Sequence, residues 1–287
     1  MNPRELGRLL IEAVRNWMKD EVASMGAALA FYTLFSMAPL LLLVIAIAGL
    51  VIGPDVAQGL MMTQLTTLLG EKGAGAVQAI LKAADDRAEG IVAATLSLAT
   101  LVLGATTVFA ELRRDLDKIW KHETPPTSGV WNYLRARVFS FGLVLTIGFL
   151  LMVSLVLSTA VTAIGAMVAG GWPIVLRALE FLVSCVMITG LFAMIYKLLP
   201  SVRVEWSDVW VGAVVTSLLF WLGKYLIGLY LGKSAVASPF GAAGTLVVVI
   251  VWVYYSAQIF FLGAEFTKAY AMRRGSLKTQ GGTHVRQ

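Results

Sequence analysis

Six stretches of this chain are apolar and free, or nearly free, of charged side chains, and nothing else in the sequence restricts its fold as tightly. Val22 to Pro54 runs for 33 residues without an Asp, Glu, Lys, Arg or His. Gly90 to Ala110 and Gly244 to Ala264 give 21 each, and Val138 to Gly171 opens with 26 strongly apolar residues. Ile174 to Tyr196 is interrupted only by Arg177 and Glu180, and Val209 to Leu231 only by Lys224. A helix rises about 1.5 Å per residue, so about 20 residues cross the roughly 30 Å of bilayer hydrocarbon. All six runs reach that length. They are continuous rather than alternating, which selects helices over barrel strands. The composition agrees: 58% hydrophobic and 14% charged, against about 45–50% and about 25% in soluble domains.

The expected fold is therefore all-α, a polytopic membrane protein with six transmembrane helices. The spans are expected at about 24–52, 90–110, 138–163, 174–197, 208–231 and 244–266 within a membrane domain over 22–270. Seventeen of the 23 bases fall in residues 1–21, the second and fourth connections and the tail, which the expected topology places on one side. Lys72, Lys82, Arg87 and Lys233 fall on the other, and Arg177 and Lys224 lie within spans. The positive-inside rule then places both termini in the cytoplasm, N-in and C-in. Residues 271–287 read as a basic cytoplasmic tail.

Residues 1–21 carry four bases and four acids, without the continuous apolar core of a cleavable signal. Leu6, Leu9, Leu10, Ala13, Val14, Trp17 and Met18 recur at helical spacing, so an amphipathic arm is expected. It either lies on the membrane interface or packs on the protein's own surface. Pro39 falls inside the long first span, where a kink or break is expected. The outer connection 53–89 shows two helical stripes punctuated by Gly70, Gly73 and Gly75, which reads as a helical hairpin across the outer mouth of the bundle.

Ionisable groups in hydrocarbon are expensive, so each one asks for a role. Lys224 either snorkels to the outer interface or faces a central cavity, where it would contact an anionic headgroup or a carboxylate. Arg177 and Glu180, three residues apart on one helix face, either pair at the interface or line a way in. Glu265 closes the last span beside Lys268, and the deeper Gln258 is expected to bond across helices. The stretch Ser238-Pro239-Phe240-Gly241-Ala242-Ala243-Gly244 cannot be ordinary helix throughout. Pro239, Gly241 and Gly244 mark either a re-entrant turn or a surface loop. Two GxxxG pairs, Gly49/Gly53 and Gly228/Gly232, permit close helix approach, within the chain or in a homo-oligomer.

Several blocks of residues resemble one family. They are Ala27-Ala28-Leu29-Ala30-Phe31-Tyr32-Thr33-Leu34-Phe35-Ser36 followed by Pro39-Leu40-Leu41; Phe109-Ala110-Glu111-Leu112 running into Asp117-Lys118-Ile119-Trp120; Leu199-Pro200 with Trp206; Gly212-Ala213; Phe240 to Gly244; Trp252 to Gln258; and Leu262-Gly263-Ala264-Glu265. In this order they are similar to the YihY / virulence factor BrkB family. The resemblance implies a six-span protein of the bacterial inner membrane, with links in some members to serum resistance and in others to envelope lipid handling. A legacy label, ribonuclease BN, also attaches to the family.

The residues give that label little. No P-loop, Rossmann glycine fingerprint or GxSxG motif is present, and no carboxylates and histidines recur at ligand spacing. Basic loops beside a membrane follow from topology and do not argue for nucleic acid. We therefore expect a non-enzyme without cofactor, whose partners are membrane lipids with anionic headgroups. The leading expectation is transport or accommodation of an amphipathic, anionic, lipid-like substrate. The alternatives are a scaffold for envelope partners and, disfavoured, a ribonuclease.

Overall fold

The computed structural model describes residues 3–85, 107–121, 173–202, 204–233, 244–275 and 277, and every regular element among them is a helix. In chain order these are α1 (Pro3–Lys19), α2 (Val22–Ile52) and α3 (Pro54–Asp85), then α4, the described part of a helix over residues 107–119. They are followed by α5 (Pro173–Leu198), α6 (Trp206–Lys233) and α7 (Gly244–Arg273).

Among the described residues, three stretches are long and apolar enough to cross a bilayer: Phe181–Leu198, Trp206–Ile227 and Val247–Arg273. They stand where the fourth, fifth and sixth spans are expected. α2 covers the first expected run. The spans expected at 138–163 and, apart from 107–110, at 90–110 lie outside the described residues.

Two expectations are overturned. The outer connection is not a hairpin laid across the bundle. It is a single 32-residue helix, α3, that folds back on α2 and also touches α7. Val77 and Leu81 of α3 share a buried cluster with Ala30 of α2 and Val249 and Val253 of α7. Gly70, Gly73 and Gly75 do not break the helix because a helical glycine costs only about 0.5–1 kcal/mol relative to alanine. Burial of Ala74 between them, and of Val77 and Leu81 just beyond, offsets that. The hairpin that does form is α2–α3. Its corner is Gly53, at φ 87°, with Pro54 opening the next helix, the position where a missing N–H is harmless. Gly49 packs against Pro54, 3.2 Å from its Cα to where a Cβ would stand, so the Gly49/Gly53 pair builds this corner and not a seam between distant helices.

The second correction concerns Pro39. α2 is helical without interruption from Val22 to Ile52, so of the kink or break expected there, the break is absent. One proline removes a single backbone bond, and long helical arms on both sides, with α3 and α7 alongside, keep the chain in register.

α7 is the hub of the bundle, in contact with α1, α2, α3 and α6. The largest core cluster gathers Val22 and Met25, Leu116 and Ile119 of α4, Tyr196, Val209, Phe261 and Ala264. α1 packs along the last turns of α7, with Leu9 and Ala13 against Phe266 and Ala269, so one face of the amphipathic arm rests on the protein itself. The sharp corner between α1 and α2 is made by Glu21, in the left-handed region at φ 56°.

Candidate functional site

Buried polarity lies at three levels along α6 and α7. At the middle level the two helices approach so closely that glycine is required. A Cβ on Gly212 would stand 1.8 Å from Thr267 Oγ1, and one on Gly263 would stand 1.9 Å from Thr216 Oγ1 and 2.6 Å from the Tyr196 hydroxyl oxygen. Gly212 and Thr216 are four residues apart on α6, as Gly263 and Thr267 are on α7. In an antiparallel pair, each glycine thus receives the other helix's threonine. The threonine hydroxyls donate to their own helices, Thr216 to Gly212 O at 2.8 Å and Thr267 to Gly263 O at 2.7 Å. Tyr196 of α5 closes the knot, its hydroxyl donating to Phe260 O at 2.6 Å and lying 3.1 Å from Thr216 Oγ1. A few residues on, Thr189 Oγ1 and Ser217 Oγ are 2.9 Å apart, a further polar tie between α5 and α6.

The end of the bundle where the described bases gather is tied by charge. Glu265 is fully buried, its Oε2 3.3 Å from Lys268 Nζ, which in turn lies 3.7 Å from Asp20 Oδ2 at the α1–α2 corner. Two carboxylates thus converge on one buried ammonium. Glu265 Oε1 has no hydrogen-bond partner among the described residues. Further along α7, Arg273 pairs with Glu12 at 2.6 Å and Arg274 with Glu5 at 2.5 Å, so α7 is strapped to α1 along its exposed end. α4 is fastened separately. Asp117 accepts from the Ser201 backbone N–H at 2.7 Å and from its hydroxyl at 2.8 Å, which anchors the connection between α5 and α6. Asp115, two residues before it and buried, has an Oδ2 without a hydrogen-bond partner among the described residues. Burial, with the nearby Glu111 carboxylate adding to it, pushes its carboxyl up to about 7.

The residues singled out from sequence are dispersed, not gathered. Glu265 belongs to the charged cluster. Gln258 crosses to α2: its amide lies over Gly26, which has no side chain to obstruct it, and reaches Val22 O at 3.4 Å. Lys224 lies on the opposite half of α6. It is half-buried with its ammonium 5.0 Å from the centre of the Trp221 ring, and it has no ion pair or hydrogen bond among the described residues. Its spacing puts it on the stripe of Ala213, Ser217 and Phe220, which are buried or half-buried. Arg177 and Glu180 lie in the opening turns of α5, whose side chains are outside the described set, as is the Pro39 side chain. Gly244 is the first residue of α7, while Pro239 and Gly241 lie outside the described residues. Among the described residues no group of three or more His, Cys, Asp or Glu side chains is arranged to hold a metal ion.

Asp20, Tyr196, Thr216 and Thr267 were not singled out from the sequence. The threonines carried a signal, the same Gly-xxx-Thr spacing repeated in two spans.

Comparison with known proteins places this chain in a wider group. The profile of the family described as virulence factor BrkB matches residues 13–287. Among curated proteins, the chain is similar to a UPF0761 membrane protein of Albidiferax ferrireducens, 26% identical over 275 residues, covering 93% of this chain and 63% of the relative. It is also similar to one from Vibrio cholerae, 27% identical over 195 residues, with 65% and 61% covered. A third, from Methylibium petroleiphilum, is 30% identical over 183 residues, with 62% and 41% covered. The chain thus spans less than two thirds of the length of these relatives. No solved structure matches it.

Proposed function

The chain belongs to the virulence factor BrkB family, and on that footing we propose that this membrane protein moves or accommodates an amphipathic, anionic, lipid-like molecule in the bacterial inner membrane, with both termini cytoplasmic. The observation that carries the reading is Lys224. A lysine within a span is tolerated where it faces the bundle or water and has something to neutralise. Lys224 is on the bundle-facing stripe of α6, backed by Trp221, and has no carboxylate among the described residues to pair with. A phosphate or carboxylate headgroup supplies that partner, with the acyl part against the apolar helices. The excess of bases at the end where α1 and the last turns of α7 meet supports the orientation.

The test is transbilayer movement of labelled anionic lipid in proteoliposomes, wild type against Lys224→Ala, with folding verified by monodisperse elution. Protein-dependent movement that falls in the variant is the expected result. Absence of movement from folded wild-type protein would count against the reading. It would favour a scaffold, for which the strapping of α7 to α1 by two ion pairs is the supporting observation.

A further inference from the structure

The outward side of α1 has a chemistry that its contacts within the protein do not use. Around the helix, the stripe seated on the bundle includes Leu10 and Ala13. Next to Leu10 come Val14, Met18 and Ile11, which are 43%, 62% and 71% exposed. Beyond them lie Arg15, Arg8 and Lys19, all exposed and without an ion pair among the described residues. Glu12 and Glu5 follow, and both are taken by Arg273 and Arg274. The acids of α1 are thus spent inward and its bases left outward, beside an unburied apolar stripe.

The order of these stripes fixes their direction relative to the spans. Glu12 and Glu5 meet the far end of α7, past Lys268. Leu6 and Leu10, on the other side of Leu9 and Ala13, instead pack on the buried cluster that Val211, Val215 and Leu262, several residues deeper on α6 and α7, also pack against. The exposed apolar stripe therefore adjoins the side of α1 nearest the spans, and the bases come next, further from them. That is the sequence of environments met on leaving a bilayer: acyl chains, then phosphates, then water. Arg8, Arg15 and Lys19, together with Ile11, Asn16 and the Glu12–Arg273 ion pair, line a groove of about 600 Å³ along this face.

We propose that this face of α1 is a docking surface for anionic phospholipid of the leaflet on the termini's side. Ile11, Val14 and Met18 seat among the acyl chains, and Arg8, Arg15 and Lys19 hold headgroup phosphates in the groove. The inference is independent of transport and of Lys224. It holds equally for a scaffold.

The experiment uses the full chain carrying Cys185→Ser and Met18→Cys, spin-labelled at position 18, in nanodiscs of phosphatidylcholine alone or mixed with phosphatidylglycerol. Relaxation by oxygen, which concentrates in lipid, is compared with relaxation by a water-soluble nickel chelate. The expected result is a label reached by oxygen in preference to nickel, more so with phosphatidylglycerol. That increment should be lost when Arg8→Gln, Arg15→Gln and Lys19→Gln are combined. Each base near an anionic surface is worth about fivefold in binding, so the triple variant should retain phosphatidylglycerol in native mass spectra about 100-fold more weakly. A label open to nickel in both lipids overturns the proposal. So does one closed to both reagents, which would mean a protein partner or a second copy covers the face. Reproduction of the increment by free glycerol phosphate in phosphatidylcholine discs would assign the groove to soluble anions and equally overturn it.

Discussion

Gly263→Ala should be among the most damaging single-methyl additions in the described bundle, and its cost can be built from the seam between α6 and α7. The added Cβ would stand 1.9 Å from Thr216 Oγ1, 2.6 Å from the Tyr196 oxygen and 2.8 Å from Thr216 Cβ. Reaching even 3.0 Å from the first of these requires a shift of more than an ångström. Thr216 cannot swing aside cheaply, because its hydroxyl is bound to Gly212 O and its Cβ is fixed to the helix. α6 and α7 must therefore separate, which costs about 1–3 kcal/mol in overpacking strain. Separation also stretches the bond from Tyr196 to Phe260 O, worth about 0.5–1.5 kcal/mol net. The sum is about 2–4 kcal/mol, or a fall of roughly 3–7 °C in the midpoint of thermal unfolding for a chain of this size.

Gly190→Ala is the matched control. It too places a methyl within a span, but nothing among the described residues lies within 4 Å of its Cβ, so relief of glycine's backbone entropy should hold or raise the midpoint. Tryptophan fluorescence during heating in detergent reads both. The seam also predicts coupling: Gly263→Ala combined with Thr216→Ala should lose less than the two single losses added together. A midpoint for Gly263→Ala equal to that of wild type, or an equal fall for Gly190→Ala, would refute the reasoning.

Three other perturbations test the charged end. Asp115 has its carboxyl pushed up to about 7, chiefly by burial. A raised folded-state value means that its contribution to stability is fully present below the unfolded value of 3.8 and lost as pH rises through about 7. Asp115→Asn should therefore flatten the decline in stability between those limits and leave the protein more stable than wild type at pH above 7; parallel pH profiles of the unfolding midpoint would contradict this. Lys268→Met would strand the Asp20 and Glu265 carboxylates without their ammonium and should cost about 3–5 kcal/mol, whereas Glu265→Gln leaves the Lys268–Asp20 pair in place and should cost less. Folded yield and midpoint in detergent rank the two, and the reverse order would discard the pairing. Asp117→Ala removes both bonds to Ser201 and should lower stability by about 2–3 kcal/mol, with faster proteolysis of the α5–α6 connection; unchanged cleavage there would show that the anchor is not Asp117.

Sequence periodicity reports how one helix meets its surroundings, and that part of the fold was legible. The apolar runs locate α2, α5, α6 and α7 because burial in lipid demands unbroken apolarity, whatever the partner. α3 shows where such reasoning stops. Its glycines looked like punctuation because their local cost is real, but Val77 and Leu81 meet Ala30, Val249 and Val253, and that tertiary gain decides the matter. Lys224 illustrates a different gap: a lone lysine in a span permits two readings, and the choice depends on which helices flank it. The seam is the instructive intermediate. Gly212-xxx-Thr216 and Gly263-xxx-Thr267 are each unremarkable small-residue spacings, and a search for glycine pairs passes over them in favour of Gly49/Gly53, which merely turns a corner. Their meaning is joint. In an antiparallel pair a glycine-first motif on one helix is met threonine-first by its neighbour, so two copies of one spacing become complementary. A mirrored small-residue and hydroxyl pattern in two consecutive spans is therefore a pairing signal that neither span carries alone.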